Sequence, residues 1–360
     1  MLRVLLLIIS GLAMCTLAVS AEPRDISPEL EAVRVKYKLP GCASAVIEKG
    51  RITAIGASGI RQAGRNAPVT TADIWWIASC TKAMTATLVG MLVDAGKLRW
   101  DMPIPEALRG MPCDASWRKI TVWDLITHRS GQGQVWMPEA GFSGLFSPRE
   151  QREMFARSLL SHAPEETPGK FSYSNAGYGL LGAILERASG ETYEELLRKR
   201  IFTPLSLESA GFGPPTMQLG RLDQPFGHRR QGDRFLPVDP SISGRYPSML
   251  TPAAGVHMSL EDFARYAAWI SGNEPVLVKP ETFARLQTPP AGESYAGGLW
   301  KTKMPGIGGA AVCHTGTMGG FFAVFYSSRD CACVSVFNAE AIGWEWQGDE
   351  ITAAALKASR

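Results

Sequence analysis

Strand-like apolar runs lie near both ends of the chain, and apolar residues at helical spacing fill its middle. Two short runs, 43–47 and 52–55, flank a Lys-Gly-Arg turn and predict a β-hairpin. Near the C-terminus, an apolar stretch ending at Val312 and the runs 321–326 and 331–337 are separated by glycine or serine turns. This spacing predicts a three-strand antiparallel meander.

These elements together predict the α+β fold class. Both chain ends would contribute to one antiparallel five-stranded sheet, and helices, including one predicted over 344–357, would flank it in three α/β/α layers. Helical patterns dominate 97–265, which predicts an inserted, mostly helical lobe. No long linker interrupts the chain, so 22–360 is interpreted as a single domain with its site at the seam between the lobes.

A helix is predicted to begin at Ser79 and to end near Gly96, because apolar residues recur between them at helical spacing. At the helix start, the Ser79 hydroxyl would lie near unpaired backbone N–H groups and the positive end of the helix dipole. Lys82 follows one turn later on the same face, and a serine hydroxyl needs such a base to become a nucleophile. The alternative is an ordinary N-cap serine and a solvated lysine. A second S-x-x-K match, at Ser116 and Lys119, shows how easily the pattern arises.

A second cluster, Tyr173-Ser174-Asn175, follows a Pro-Gly turn and precedes a predicted helix. A phenol beside an ammonium can have a lowered pKa, so Tyr173 could exchange protons with a nucleophile and a leaving group. Asn175 could donate to a substrate carbonyl and accept from Lys82. In the alternative interpretation, Asn175 caps the helix and Tyr173 packs in the core.

A third cluster, His314-Thr315-Gly316, lies on the first strand of the predicted meander. A strand edge that faces the serine could supply the backbone N–H of Thr317 as a second oxyanion donor beside the N–H of Ser79. Gly316 would let a substrate backbone approach closely. The alternative is a hairpin that carries one polar histidine.

In this order, S-x-x-K, Y-x-N and a late histidine-led triplet, the clusters resemble those of the penicillin-recognising serine enzymes. That superfamily includes class C β-lactamases, D-alanyl-D-alanine carboxypeptidases, D-amino-acid peptidases and family VIII esterases. The resemblance covers essentially the whole mature chain. It implies these roles: Ser79 as the acylated nucleophile, Lys82 as its activating neighbour, Tyr173 as the general acid/base, Asn175 as a substrate and lysine contact, and His314, Thr315 and Gly316 as the substrate-facing strand.

His314 departs from the class C pattern, which usually has lysine at this position. Histidine is largely neutral at pH 7 and holds an anion such as a drug carboxylate less reliably, whereas it is familiar here among the peptidase and esterase relatives. The resemblance therefore predicts an exported serine hydrolase that acts through an acyl-enzyme on an ester or amide, either a D-amino-acid peptide or a small ester. The alternatives are a true class C-like β-lactamase and a non-catalytic peptidoglycan-binding relative. The predicted partner is a small-molecule or peptide substrate, with cell-wall-derived compounds among the candidates.

Composition and the remaining motifs narrow the function further. The net charge of only +3 predicts no nucleic-acid partner. Histidines other than His314 show no metal-ligand spacing, so no metal and no cofactor are predicted, and His128 is interpreted as suiting the dipole at a helix end. The lack of a G-x-S-x-G motif argues against an α/β-hydrolase. Trp136, Tyr178 and Trp300 could line an acyl pocket or pack in the core.

Residues 1–21 are predicted to be a secretory signal peptide. Arg3 precedes an apolar run, and small residues precede a cleavage site before Glu22. The mature protein is therefore expected in the periplasm or outside the cell. Met14 directly before Cys15 argues against a lipid anchor, and no later stretch is long and apolar enough to cross a membrane.

Six cysteines remain after the predicted signal peptide, and six cysteines allow fifteen disulfide connectivities. The resemblance places the strand of Cys42 beside the last strand, which would allow Cys42 to pair with Cys331 or Cys333. These two share a strand face and so would not pair with each other. Cys80, next to the candidate nucleophile, is interpreted as a packing residue.

Overall fold

The computed structural model describes residues 22–133, 146–215, 223–239, 247–273, 276–341 and 346–360. The predicted signal peptide, the first residues of the predicted C-terminal helix and Trp136 lie outside the described residues. Twelve strands occur in the described ranges: β1 Arg24–Asp25, β2 Gly41–Glu48, β3 Arg51–Gly59, β4 Ile74–Trp76, β5 Gly211–Phe212, β6 His228–Gln231, β7 Arg234–Pro237, β8 Val256–Ser259, β9 Trp300–Lys303, β10 Ala310–Met318, β11 Phe321–Ser327 and β12 Cys331–Phe337. The same ranges hold eleven α-helices: α1 Ser27–Lys36, α2 Thr81–Asp94, α3 Ile104–Ala107, α4 Val122–Ile126, α5 Pro148–Leu160, α6 Asn175–Ser189, α7 Tyr193–Leu197, α8 Thr251–Ala254, α9 Leu260–Ile270, α10 Pro280–Leu286 and α11 Trp346–Ala358.

Seven strands form the central sheet, in the order β1-β3-β2-β12-β11-β10-β9. Its middle five strands are the predicted hairpin and the predicted meander, and each neighbouring pair among them is antiparallel. Because β2 lies next to β12, the two ends of the chain build one sheet, as the sequence predicts.

The prediction of five wholly antiparallel strands is wrong at both edges of the sheet. At one edge, Arg24 and Asp25 pair in parallel with β3, and at the other edge β9 pairs with β10. Neither edge strand contains an apolar run: both residues of β1 are exposed, and Lys301 and Lys303 of β9 point to solvent. Main-chain hydrogen bonds to the neighbouring strand define such edges, so hydrophobic periodicity does not reveal them.

Both faces of the sheet are buried, and β2 shows how. Ala43 and Ala45 belong to one apolar core, whereas Cys42 and Val46 belong to the other, because successive side chains of a strand point to opposite faces. Helices α1 and α11 cover the second face, while α2 and α9 contribute to the core on the first. This arrangement confirms the predicted sheet flanked by helices on both sides.

The stretch 97–265 contains helices α3 to α8 together with strands of two small sheets. One small sheet has the order β4-β8-β5, and the other is the hairpin β6-β7. The assignment of this stretch to an inserted lobe, and of 22–360 to one domain, stays a prediction. Within the described ranges, no helix has both the length and the apolar character that a bilayer span requires.

Cys42, Cys331 and Cys333 are free thiols, so the disulfide that the resemblance suggested is wrong. Cys42 lies opposite Phe337 in the β2–β12 pair, while Cys333 lies opposite Val46. The strands are neighbours as expected, but their register separates the sulfur atoms along the sheet. Cys80 is buried, and its thiol donates to the carbonyl of His314, consistent with a packing role.

Candidate active site

The candidate nucleophile lies on a tight turn between β4 and α2. A 3₁₀ turn, Ala78–Cys80, leads directly into α2. Ser79 therefore lies in this turn and is not the first residue of the α-helix, the position that the sequence predicted. Ala78 is buried and has a left-handed φ of +46°, a conformation that costs an L-residue on the order of 1 kcal/mol. The surrounding core therefore holds the backbone before Ser79 in a strained, well-defined geometry.

Lys82 is fully buried directly beneath Ser79. Its Nζ lies 3.2 Å from Ser79 Oγ, 2.7 Å from Asn175 Oδ1 and 2.9 Å from the carbonyl oxygen of Ala253. Burial holds the pKa of Lys82 well below its usual value, since the ammonium loses its hydration. The solvated helix lysine of the alternative interpretation is therefore wrong.

The three oxygens around Lys82 have different hydrogen-bonding capacities. Asn175 Oδ1 and the carbonyl of Ala253 can only accept, so each takes one N–H of the amine. In the neutral amine, this leaves the nitrogen lone pair for the remaining neighbour, Ser79 Oγ, which can donate its proton. The arrangement is thus suited to a lysine that acts as a base toward Ser79.

The Tyr173-Ser174-Asn175 segment begins helix α6. Ser174 is the N-cap and accepts the N–H of Gly177 at 2.9 Å. This cap leaves Asn175 free to contact Lys82, so the alternative in which Asn175 caps the helix is wrong.

The centroid of the Tyr173 ring lies 4.7 Å from Lys82 Nζ, and Tyr173 lines the same pocket as Ser79. Burial nevertheless raises the pKa of Tyr173 well above its usual range. The lowered pKa expected for Tyr173 is therefore wrong, because burial disfavours the charged phenolate. Tyr173 keeps its proton at neutral pH.

Strand β10 runs alongside the nucleophile turn. A Cβ atom at Gly316 would lie 2.2 Å from the carbonyl oxygen of Ile77 and 2.7 Å from the backbone nitrogen of Ser79. Glycine is required there because β10 approaches the turn that carries Ser79. The expected close approach of a substrate backbone to Gly316 stays a prediction. Thr317 follows on the same strand and is exposed to the pocket, which suits the predicted oxyanion role of its N–H beside that of Ser79.

His314 is 1% exposed, and both of its ring nitrogens have protein partners. Nδ1 lies 2.5 Å from the carbonyl oxygen of Thr315, and Nε2 lies 3.0 Å from the hydroxyl of Tyr295. Because a carbonyl can only accept, Nδ1 carries the proton and Nε2 accepts from Tyr295. Burial, followed by the charge of Lys82, lowers the pKa of His314 to about 3. The imidazole is therefore neutral and has no free nitrogen for a ligand.

His128 is a site residue that the sequence interpretation missed. It follows α4, as predicted, but it has a left-handed φ of +57° and its side chain is buried against Tyr173 rather than at the helix dipole. Its Nδ1 accepts the backbone N–H of Ser174 at 3.0 Å. Tyr295, which was also missed, packs on the same imidazole with ring centroids 4.7 Å apart. Neither His128 nor Tyr295 belongs to a sequence motif, and no regular spacing along the chain indicates that either lies near Ser79.

The site opens into a pocket with a cavity volume of about 410 Å³. Its described lining consists of Ser79, Tyr173, Asn175, Trp300, His314, Thr315, Gly316, Thr317, Phe322 and Ala341. All the predicted site residues except Lys82 line it, and Lys82 lies directly below. Trp300 is in the wall, as one interpretation suggested, whereas Tyr178 is buried in the core. Phe322 and Ala341 were not foreseen. No group of side chains in the described ranges could hold a metal ion.

Comparison with known proteins identifies related chains. A model of the family described as Beta-lactamase matches residues 26–355. A penicillin-binding protein 4 of Amycolatopsis lactamdurans is 34% identical over 188 residues, which cover 50% of this chain and 46% of that protein, so the chain spans about half of that relative. Esterase EstB of Burkholderia gladioli is 28% identical over 327 residues, with 81% of this chain and 80% of the esterase covered. The octameric penicillin-binding protein homologue from Pyrococcus abyssi has a similar fold, with a TM-score of 0.74 at 24% identity over 92% of this chain and 77% of that one.

Proposed function

The chain belongs to the β-lactamase family, and we propose that it is a serine hydrolase that cleaves an ester or amide through an acyl-enzyme on Ser79. The proposal rests on one observation above all. Lys82 Nζ contacts Ser79 Oγ at 3.2 Å while two acceptor-only oxygens take its other hydrogen-bonding positions. This arrangement supports a buried amine whose lone pair faces the nucleophile.

The proposed reaction has two halves. Ser79 Oγ attacks the substrate carbonyl as its proton passes to Lys82, and the N–H groups of Ser79 and Thr317 stabilise the oxyanion. Tyr173, which holds its proton at neutral pH, donates to the leaving alcohol or amine and recovers a proton from Lys82. Water then attacks the acyl-enzyme and gives up its proton to the same pair of residues, and a proton returns to Ser79 Oγ as the acid product leaves. Asn175 keeps Lys82 oriented throughout.

Covalent labelling tests this assignment. A fluorophosphonate should add one phosphonyl group to the wild-type protein, and Ser79→Ala should abolish the added mass. Ser116→Ala is the matched control, because Ser116 has the same S-x-x-K spacing but lies in an exposed turn, where its hydroxyl donates to Asp114. Labelling that persists in Ser79→Ala, or that disappears in Ser116→Ala, would contradict the proposal.

A class C-like β-lactamase is the second candidate, supported by the family itself. Intact mass recorded over time with benzylpenicillin separates the two. Rapid consumption of the drug without a lasting adduct would favour the β-lactamase, whereas no consumption and no adduct would favour an esterase or amidase. A lasting adduct on wild type alone would indicate a peptidase-like site that deacylates slowly.

We also propose that the protein is exported, on the strength of the charged, apolar and small-residue segments of its first 21 residues. Determining the N-terminal residue of the protein, and the cell fraction from which it is recovered, tests this proposal. A mature chain beginning at Glu22 would support export, and an intact N-terminus on a cytoplasmic protein would contradict it.

A further inference from the structure

A second concave surface lies between the central sheet and helices α9 and α10. Its cavity volume of about 480 Å³ exceeds the 410 Å³ of the candidate active-site pocket, and the two have no described lining residue in common. Trp300 and Lys301 are successive residues of β9, so their side chains point to opposite faces, Trp300 into the wall of the active-site pocket and Lys301 into the second cavity. We name this cavity the edge groove, and its described lining includes Ile270, Phe283, Lys301, Val312 and Arg329.

The register of the sheet brings cationic side chains to the edge groove. Val312 of β10 lies opposite both Lys301 of β9 and Ser327 of β11, so these three side chains share one face. Arg329 follows Ser327 by two residues, in the turn between β11 and β12, and also lines the groove. Lys301 and Arg329 are exposed, and neither forms an ion pair with any residue of the described ranges. Because the described lining contains no acidic side chain, these positive charges are not neutralised within the groove.

Apolar side chains form the rest of the surface that a ligand would contact. Ile270 and Val312 are buried, whereas Phe283 is only half-buried. Phe283 also lines an adjoining cavity of about 230 Å³, whose other walls include Leu277 and Val276. Val276 is 70% exposed, which is unusual for a large aliphatic residue. Phe283 therefore connects the cationic groove to apolar surface that is still in contact with water.

We infer that the edge groove binds a soluble carboxylate that carries an apolar chain. Lys301 and Arg329 would bind the carboxylate, and the chain would lie on Phe283 and extend toward Val276. The charge of the groove favours an anion over a cationic or neutral amphiphile, and a simple inorganic anion would leave the apolar surface exposed. The cavity volume lies within the range of small-molecule sites, about 300–1,000 Å³. Since the groove shares no described residue with the active-site pocket, the inference does not depend on the proposed function.

Isothermal titration calorimetry at pH 7.5 with butanoate, hexanoate and octanoate, each below its micellar concentration, tests the inference. The affinity should rise by about threefold to fourfold for each methylene group that is buried. The neutral alcohol 1-octanol, which has the same chain length as octanoate, should bind about tenfold more weakly at low salt. Added sodium chloride should weaken the binding of octanoate and leave that of 1-octanol unchanged, because salt screens exposed charges.

Exposed positions allow substitutions that separate the two parts of the groove. The double variant Lys301→Gln/Arg329→Gln should weaken octanoate binding by about tenfold. Arg118→Gln/Lys119→Gln is the matched control, since it removes one arginine and one lysine from an exposed turn outside the groove and should keep the wild-type affinity. Val276→Asn should weaken octanoate by about threefold and leave butanoate unchanged, because only the longer chain reaches this position.

Three results would overturn the inference. The first is that folded wild-type protein binds no octanoate. The second is an equal octanoate affinity in wild type and in Lys301→Gln/Arg329→Gln, which would place the acid in another cavity. The third is binding to vesicles of anionic lipid without binding of monomeric octanoate, since the inference concerns a soluble acid. Loss of Ser79-dependent labelling with intact octanoate binding would contradict the proposed function alone.

Discussion

His128 Nδ1 accepts the backbone N–H of Ser174 at 3.0 Å, which joins the end of α4 to the turn that carries the candidate acid/base. The imidazole also packs against Tyr173, with ring centroids 4.3 Å apart and planes inclined by 37°. His128 therefore contacts both Tyr173 and the backbone of Ser174, the N-cap of α6. It is not among the described residues that line the pocket.

We expect His128→Ala to lower kcat by about 10- to 100-fold, because Tyr173 loses the surface that orients it toward Ser79. His128→Asn, which restores an acceptor for the N–H of Ser174, should recover part of the rate. Steady-state kinetics on a reactive ester measures both. His162→Ala, at an exposed histidine, is the control and should keep wild-type kcat. Equal rates in His128→Ala and wild type would show that the packing has no role in positioning.

Asn175 accepts a hydrogen bond from the buried amine of Lys82. The neutral amide oxygen lies 2.7 Å from Nζ, and burial holds the pKa of Lys82 well below its usual value. Asn175→Asp would place a carboxylate at the same distance and raise the pKa of Lys82, since an adjacent anion stabilises the ammonium.

Because the neutral amine is the active form, the rising limb of kcat/KM against pH should move to higher pH in Asn175→Asp, and activity at pH 7 should fall by at least about tenfold. In the wild type, that limb should reach its plateau below the ordinary lysine pKa. A pH–rate profile from pH 5 to 10 measures both positions. An unchanged rising limb in Asn175→Asp would mean that Lys82 is not the base that limits acylation.

Hydrophobic periodicity predicts the parts of the fold that bury apolar side chains. Strands β2, β3, β11 and β12 are long and apolar, and they form where the sequence predicts them. Strands β1 and β9 carry no such signal, since main-chain pairing at the sheet edge is what defines them. The proposed pairing of Cys42 fails for a related reason: adjacency of strands does not determine register, and register separates the thiols.

The candidate site also contains residues that the sequence predicts and residues that it does not. Ser79 and Lys82 share a helical spacing, and Tyr173 and Asn175 form a compact motif, so sequence alone brings each pair together. His128 and Tyr295 reach the site from a turn and a hairpin, and each is held by tertiary contacts with no regular spacing. The neutrality of His314 at pH 7 could be expected from its usual pKa, but its burial and its two hydrogen-bond partners could not.

The stability of the protein should depend on pH through its buried histidines. His228 accepts the N–H of Ala63 on Nε2 and donates from Nδ1 to the carbonyl of Asn338, and burial lowers its pKa to about 4. His314, with a pKa of about 3, behaves likewise. In the unfolded chain these groups titrate near their usual value of about 6.5. The unfolded state therefore binds more protons than the folded state between pH 4 and pH 6.5.

The free energy of unfolding should consequently be highest above pH 6.5 and fall as the pH drops toward 4, by about 3 kcal/mol from His228 alone. Urea denaturation at pH 4.5, 5.5 and 7.5 measures the slope. His228→Gln should lower stability at pH 7.5 and flatten the profile, whereas His162→Gln should change neither. A flat wild-type profile across this range would contradict the burial of neutral imidazoles.

Gly316 should be intolerant of even one added methyl group. The Cβ of alanine would lie 2.2 Å from the carbonyl oxygen of Ile77, so β10 would have to move away from the turn that carries Ser79. Because Thr317 follows directly, Gly316→Ala should displace its N–H from the oxyanion position and slow fluorophosphonate labelling of Ser79 by about 100-fold. Gly177→Ala is the matched control, because its Cβ would meet no atom closer than 3.5 Å.

Thermal unfolding of both variants separates a local displacement of β10 from a general loss of structure. Gly316→Ala should remain folded at 25 °C and lose labelling rate, while Gly177→Ala should keep the wild-type labelling rate. Wild-type labelling by folded Gly316→Ala would show that the close approach of β10 to Ser79 does not place the oxyanion donor. An equal loss in both variants would instead point to a general effect of replacing glycine, because only one of the two positions faces the nucleophile turn.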